Sequence, residues 1–199
     1  MSIIGGLLFY NSKHADIGDL ARHNIGKLRE AVNGVSQNVF DAKSDAEVVD
    51  LVIKEMRVDP LVVHFDAAQK DVQETTMEIR DDFGFGDGPI QVPALRATKS
   101  MPFSGDRNLW EFMTGSWSTS MPQGEVTGNR LIVGMIVRAD RAAEAKAHID
   151  RTIEEIKGYV TKQRAQIDAY NDSLPGHILP LVEERRKRRG AASALLNEL

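Results

Sequence analysis

Five histidines, one His–Asp pair and a run of five consecutive basic residues are the side chains here whose types and spacing bear on chemistry. The histidines stand at positions 14, 23, 64, 148 and 177, no two of them four residues apart, and there is no HExxH stretch. A zinc site would therefore need ligands from distant segments to converge. His64 and Asp66 close the apolar stretch that begins at Leu61. A strand end is a frequent place for acid–base groups, so this pair is the candidate for an enzyme site. A metal-dependent nuclease of the PD-(D/E)xK kind also needs an acid–x–Lys on the next strand to hold a divalent cation. Neither Gln69-Lys70 nor Glu78-Ile79-Arg80 supplies that spacing. The glycines at 84, 86 and 88 lead into Pro89, not into Lys-Ser or Lys-Thr, so they read as a loop and not as a phosphate cradle. No serine sits in a GxSxG elbow. With no catalytic motif, the sequence reads as a non-enzyme that needs no cofactor.

The basic run is Arg185, Arg186, Lys187, Arg188 and Arg189. These are the candidate phosphate contacts, and each would carry a salt-dependent share of nucleic-acid affinity. The plainer reading is a solvated helix end whose positive charge complements the helix dipole. Glu183 and Glu184 dilute the patch, and no aromatic residue interleaves with it, so base stacking is not implied. Trp110, Phe112, Met113 and Trp117 form an apolar group that either lines a pocket or plugs the core beneath a loop.

The elements that must position these residues follow from periodicity. Ile149, Ile153, Ile156, Val160, Gln163, Ile167, Tyr170 and Leu174 recur in alternating steps of four and three, a heptad seam on one helix face. Ile153, Ile156, Val160, Gln163, Ile167 and Tyr170 are the candidate seam or interface residues. They pack inward or against a second copy, with Gln163 as a polar position able to set register. The helix is expected from about Arg141 to Tyr170. Asn171 to Gly176, with Pro175, then break or kink it, and a second helix starts near Leu179 and carries the basic run to Gly190. Upstream, residues 3–10 read as a strand and residues 15–40 as an amphipathic helix. Ser44 and Glu47 form a capping box for a further helix, stopped by Asp59-Pro60. Leu61–Phe65, Val72–Ile79, Ile90–Thr98 and Leu131–Val137 read as strands. Leu131–Val137 is apolar enough for burial on both faces, and Pro93 marks an edge or bulge. Residues 99–129 read as long loops around a helical turn near Leu109–Met113.

Composition bounds the function. The 199 residues carry 25 basic and 29 acidic side chains, a net charge of −4 that argues against a globally basic nucleic-acid binder. The chain has no cysteine, so disulfides, cysteine-ligated metals and thiol catalysis are excluded. The apolar N-terminus lacks a basic leader region and is too short to cross a bilayer. These features fit a cytoplasmic protein with no membrane partner.

Part of the C-terminal half resembles a known family. Tyr170-Asn171-Asp172-Ser173-Leu174 follows a long helix and precedes the basic run at 185–189, and Pro102-Phe103-Ser104-Gly105-Asp106 lies upstream. Residues 100–190 are in this respect similar to the N-terminal, non-catalytic region of bacterial restriction-endonuclease-like proteins. The resemblance implies a role in defence against foreign DNA. It also implies a downstream nuclease domain or partner protein that holds the metal-binding acids and lysine, and a chain end near a linker. It carries over no catalytic residue.

The expectation is an α+β fold. Two N-terminal helices precede a mostly antiparallel sheet of four to five strands, followed by a long C-terminal helix and a shorter basic helix. Residues 1–170 would form the α+β domain and 171–199 the kinked basic helix and tail. The expected function is a non-enzymatic sensor, regulatory or oligomerisation module of a nuclease-type defence protein. The alternatives are a nucleic-acid-binding module using the basic helix and an enzyme using His64 and Asp66.

Overall fold

The computed structural model describes residues 1–13, 15–79, 90–115 and 121–198. His14, the glycine-rich stretch at 80–89 and Trp117 lie outside the described residues. The strands are Ser2–Ile3 (β1), Gly6–Leu7 (β2), Val62–Val63 (β3), Gln69–Ile79 (β4), Ile90–Ser104 (β5), Gln123–Thr127 (β6) and Arg130–Arg138 (β7). The helices are Ile17–Gly34 (α1), Gln37–Ala42 (α2), Asp45–Met56 (α3) and Ala142–Glu198 (α4). The architecture is α+β, as the periodicities predict, with an antiparallel sheet and a long C-terminal helix. Two compact units divide the chain: Met1–His14 with Pro60–Gln163, and Ala15–Asp59 with Arg164–Leu199.

In the first unit the strands run in the order β2-β6-β7-β5-β3, while β1 pairs with β7 and β4 pairs with β5. The described residues thus contribute seven strands, more than the expected four to five. The expected strand at 3–10 is two short pieces with Gly5 between them at φ +89°. A Cβ there would overlap the backbone of Gly124, so the close approach of the N-terminal segment to β6 requires glycine. The long strand β5 continues to Ser104, past the predicted end at Thr98, because β7 pairs with it from Ala94 to Pro102. Pro93 falls one residue outside that ladder, where β7 needs no N–H from it. Residues 123–127, read as loop, form β6 and turn through Gly128 and Asn129 into β7.

Along β7, Leu131, Val133, Met135 and Val137 are buried, whereas Ile132 and Ile136 on the opposite face are only half-buried. Met135 and Val137 cluster with Ala145 of α4, so the large side chains that are fully buried lie on the helix-facing side, while on the other face Gly134 is buried close to Ile4. Trp110 and Leu109 are buried in a 3-10 turn at Arg107–Glu111. Trp110 lies 5.1 Å from Phe9 and meets Phe103 edge-on at 5.4 Å, and Phe9 stacks on Tyr159. Among the described residues this aromatic group packs into the core.

In the second unit three helices, not two, pack with the C-terminal part of α4. Val35 interrupts the predicted 15–40 helix, leaving α1 and the short α2. Both long N-terminal helices open with capping boxes, Asp16/Asp19 for α1 and Ser44/Glu47 for α3. Helix α3 ends at Met56 with Arg57 as its C-cap, before Asp59-Pro60 is reached. The core is Leu28, Val32, Phe40, Val48 and Val52 with Ile167, Tyr170, Leu174, Ile178 and Val182 of α4.

The predicted break at Asn171–Gly176 does not occur: α4 is one helix of 57 residues, with Pro175 and Pro180 inside it. An internal proline costs about 3 kcal/mol. Against two such costs stand Ile167, Tyr170, Leu174, Ile178 and Val182, all buried, at about 1.5–3 kcal/mol for each large apolar side chain. Both prolines lie on the exposed side of the helix. Asn171, one of the expected breakers, instead accepts from the Val58 N–H (3.1 Å) and donates to the Val58 carbonyl (2.9 Å), so α4 is held through this segment. The separate basic helix is therefore the last part of α4.

Candidate ligand cleft

Alternation along β5 points Leu95, Ala97 and Lys99 towards the helix side of the first unit. Helical spacing on α4 brings Ala142, Ala145, Lys146, Ile149 and Asp150 over them. The facing alanines, Ala97, Ala142 and Ala145, are too short to fill the gap between strand and helix. What remains is a chamber of about 200 Å³ whose apolar walls include Val72, Leu95, Val137 and Ile149. Next to it lies a polar groove of about 610 Å³. Its walls carry Lys70, Lys99, Arg151 and Lys157 together with Asp66, Asp150 and Glu154. Lys70, Lys99 and Asp150 line both spaces.

Ion pairs organise this boundary. Lys99 Nζ donates to Asp150 Oδ1 at 2.6 Å, and Lys146 Nζ donates to Asp150 Oδ2 at 2.7 Å. These two bonds, Lys146 first, hold the Asp150 carboxyl down at about 2, well below its ordinary value. Lys157 donates to Glu154 at 2.7 Å and stands 5.3 Å from the Phe65 ring centroid. Lys70 and Arg151, also on the groove wall, make no ion pair with the described residues. The arrangement offers an apolar recess beside cations whose charge is not already matched. An amphipathic anion meets those requirements.

No family model, no curated protein and no solved structure matches this chain.

The predicted site residues fall into separate places. Of the seam, Ile153, Ile156 and Gln163 are buried within the first unit and Ile167 and Tyr170 within the second, while Val160 is half-buried. These faces close the chain's own cores, so the seam is not an open surface for a second copy. Gln163 Nε2 donates to the carbonyls of Leu109 (2.8 Å) and Phe112 (3.2 Å), which fixes the 3-10 turn against α4. Its role is a tie within the unit and not a register device between helices.

Three cations of the basic run, Arg185, Arg186 and Arg189, are engaged within the second unit. Arg185 donates to the carbonyls of Val32 and Val35, satisfying the end of α1, whose last turn has no basic residue of its own. Arg186 bonds Asp45 and the Lys43 carbonyl, and Arg189 pairs with Asp41 through its two terminal guanidinium nitrogens. All three stand over the Phe40 ring. Lys187 and Arg188 remain exposed, with Arg188 reaching Asn33 and Glu184.

His64 is exposed, and its backbone N–H donates to Pro102. Asp66 lines the polar groove and His64 does not, so that groove does not join the two residues of the acid–base pair. Among the described residues no three His, Asp or Glu side chains are grouped to hold a metal ion. No described helix is long and apolar enough to cross a membrane.

The sequence reading missed Lys99 and Lys146. Lys146 and Asp150 at i, i+4 were a legible helix pair. Lys99 carried no local signal, because its position on β5 depends on pairing with β7.

Proposed function

We propose that this chain is a non-enzymatic sensor or regulatory module, and that its input is a small amphipathic anion bound in the cleft beside α4. One observation carries this reading. The Lys99–Asp150 bond links strand β5 to helix α4 where the apolar chamber meets the charged groove. An anion that takes Lys99 from Asp150, with its apolar part in the chamber, exchanges an internal strand–helix tie for a ligand-bridged one. Arg151, and in the single chain Lys70, supply positive charge for the head group that no described acidic side chain pairs with. The setting we infer is that of a nuclease-type bacterial defence protein, with catalysis left to a nuclease domain or partner protein. This setting rests on the likeness of residues 100–190 to the non-catalytic region of restriction-endonuclease-like proteins.

The test is thermal unfolding of the chain against a panel of short alkyl carboxylates and aryl phosphates. The expected result is a rise in Tm with members that combine an apolar group and an anionic head, diminished in Lys70→Gln and Arg151→Gln. Equal shifts in wild type and both variants, or none with any member, sinks the cleft reading. Incubation with supercoiled DNA and Mg²⁺ should leave the DNA intact; cleavage would sink the non-enzymatic part.

A further inference from the structure

Strand β4 has eleven residues, pairs with β5 along its whole length, and pairs with no other described strand. Among the described residues its outer edge thus has no strand partner, and its backbone N–H and C=O groups are a template for another strand. Residues 69–74 are exposed, and Val72 in their midst is 63% exposed, an apolar side chain on an otherwise polar edge. Edge strands commonly carry charges that keep other strands away. Here the positions of the charges decide which strands are kept away.

We propose that two copies of this chain pair antiparallel along β4, with Val72 on the twofold axis. In that register Lys70 of each copy lies opposite Glu74 of the other, Asp71 lies opposite Gln73, Gln69 lies opposite Thr75, and the two Val72 side chains face each other. Lys70, Val72 and Glu74 share one face of the strand, so the two ion pairs flank the apolar contact. Other registers oppose like charges or lose the pairs. Centring on Asp71 sets that carboxylate against its own copy. A slip that brings Asp71 opposite Glu74 makes two acid–acid pairs. Centring on Glu74 keeps Lys70 opposite Glu78 but sets Glu74 against itself. Among registers that pair seven or more β4 residues, only the Val72-centred one opposes unlike charges with no like pair. A strand with this charge order rejects most partners and accepts a second copy of itself. Lys70 and Val72 also line the apolar chamber, so the twofold axis passes beside the cleft.

The test is the mass of the full chain over a concentration series by analytical ultracentrifugation, with circular dichroism to verify folding. The expected result is a concentration-dependent species of twice the 22.0 kDa chain mass. Lys70→Glu and Glu74→Lys should each weaken self-association by roughly tenfold, because every ion pair becomes a like-charge pair. The double swap Lys70→Glu/Glu74→Lys should restore it. A monomer at every concentration overturns the proposal. A dimer indifferent to both single swaps, or one not recovered by the double swap, also overturns it.

Discussion

The guanidinium of Arg185 lies 4.0 Å from the centroid of the Phe40 ring while its nitrogens donate to Val32 and Val35 at the end of α1. One side chain thus roofs a fully buried aromatic ring and satisfies carbonyls that α1 leaves unpaired. With Arg186 at the α2–α3 corner and Arg189 on Asp41, the basic run acts as an internal clamp.

Arg185→Gln is expected to destabilise the chain by about 2 kcal/mol, from lost charge-assisted bonds and the lost ring contact. Lys187→Gln, which removes an exposed cation, should change stability by less than about 0.5 kcal/mol. Urea denaturation measures both. If Arg185→Gln left the midpoint unchanged but weakened binding to DNA, the phosphate-gripping role would return.

Gln163→Leu keeps the volume but removes the donor to Leu109 and Phe112. The Phe112 carbonyl then loses its partner and the Leu109 carbonyl keeps only the Phe112 N–H, at a cost of about 1–3 kcal/mol. The Trp110 fluorescence of the folded state should shift as the 3-10 turn loosens. An unchanged midpoint with unchanged emission contradicts the tie.

Asp150 has a folded pKa of about 2 against an ordinary value of 3.8. Because the folded value is the lower one, the bonds to Lys146 and Lys99 contribute stability at neutral pH. That contribution is fully present above the unfolded value and is lost as pH falls through about 2. Carboxyl carbon NMR should place the Asp150 midpoint near 2, and Lys146→Gln should move it upward. A midpoint at the ordinary value would show that neither lysine is held there.

Pro175→Ala restores an N–H inside a helix whose exposed side it occupies. The expected gain is about 2 kcal/mol, less than the full proline penalty because the unfolded chain becomes freer. Thermal unfolding reads it directly. A loss of stability would mean that the helix needs the proline's local geometry.

How much of this was legible depended on distance along the chain. The Ser44/Glu47 capping box is a three-residue signal, and it forms as read. The seam from Ile149 to Leu174 was legible as a helix face, and those residues other than Val160 are buried. The Asp16/Asp19 box was missed because aspartate at both ends departs from the usual Ser/Thr-x-x-Glu form. Strand β6, with Gly124 as its second residue, has no apolar alternation and exists through its ladder to β7. Pro175 and Pro180 are strong local stops, overruled by apolar contacts with helices encoded more than a hundred residues earlier. The clamp was illegible for the same reason, since nothing near Arg185 in sequence names Phe40. In the cleft, the Lys146–Asp150 half could be read from helical spacing, but the Lys99 half could not.

The division of the chain into Met1–His14 with Pro60–Gln163, and Ala15–Asp59 with Arg164–Leu199, has a consequence for synthesis. During translation α1, α2 and α3 leave the ribosome early, with Leu28, Phe40 and Val52 uncovered. Leu174, Ile178 and Val182, which complete that core, are made only after the whole sheet has been synthesised. The first-born helices are thus the last to be finished, and during that interval they are the segment most in need of a chaperone.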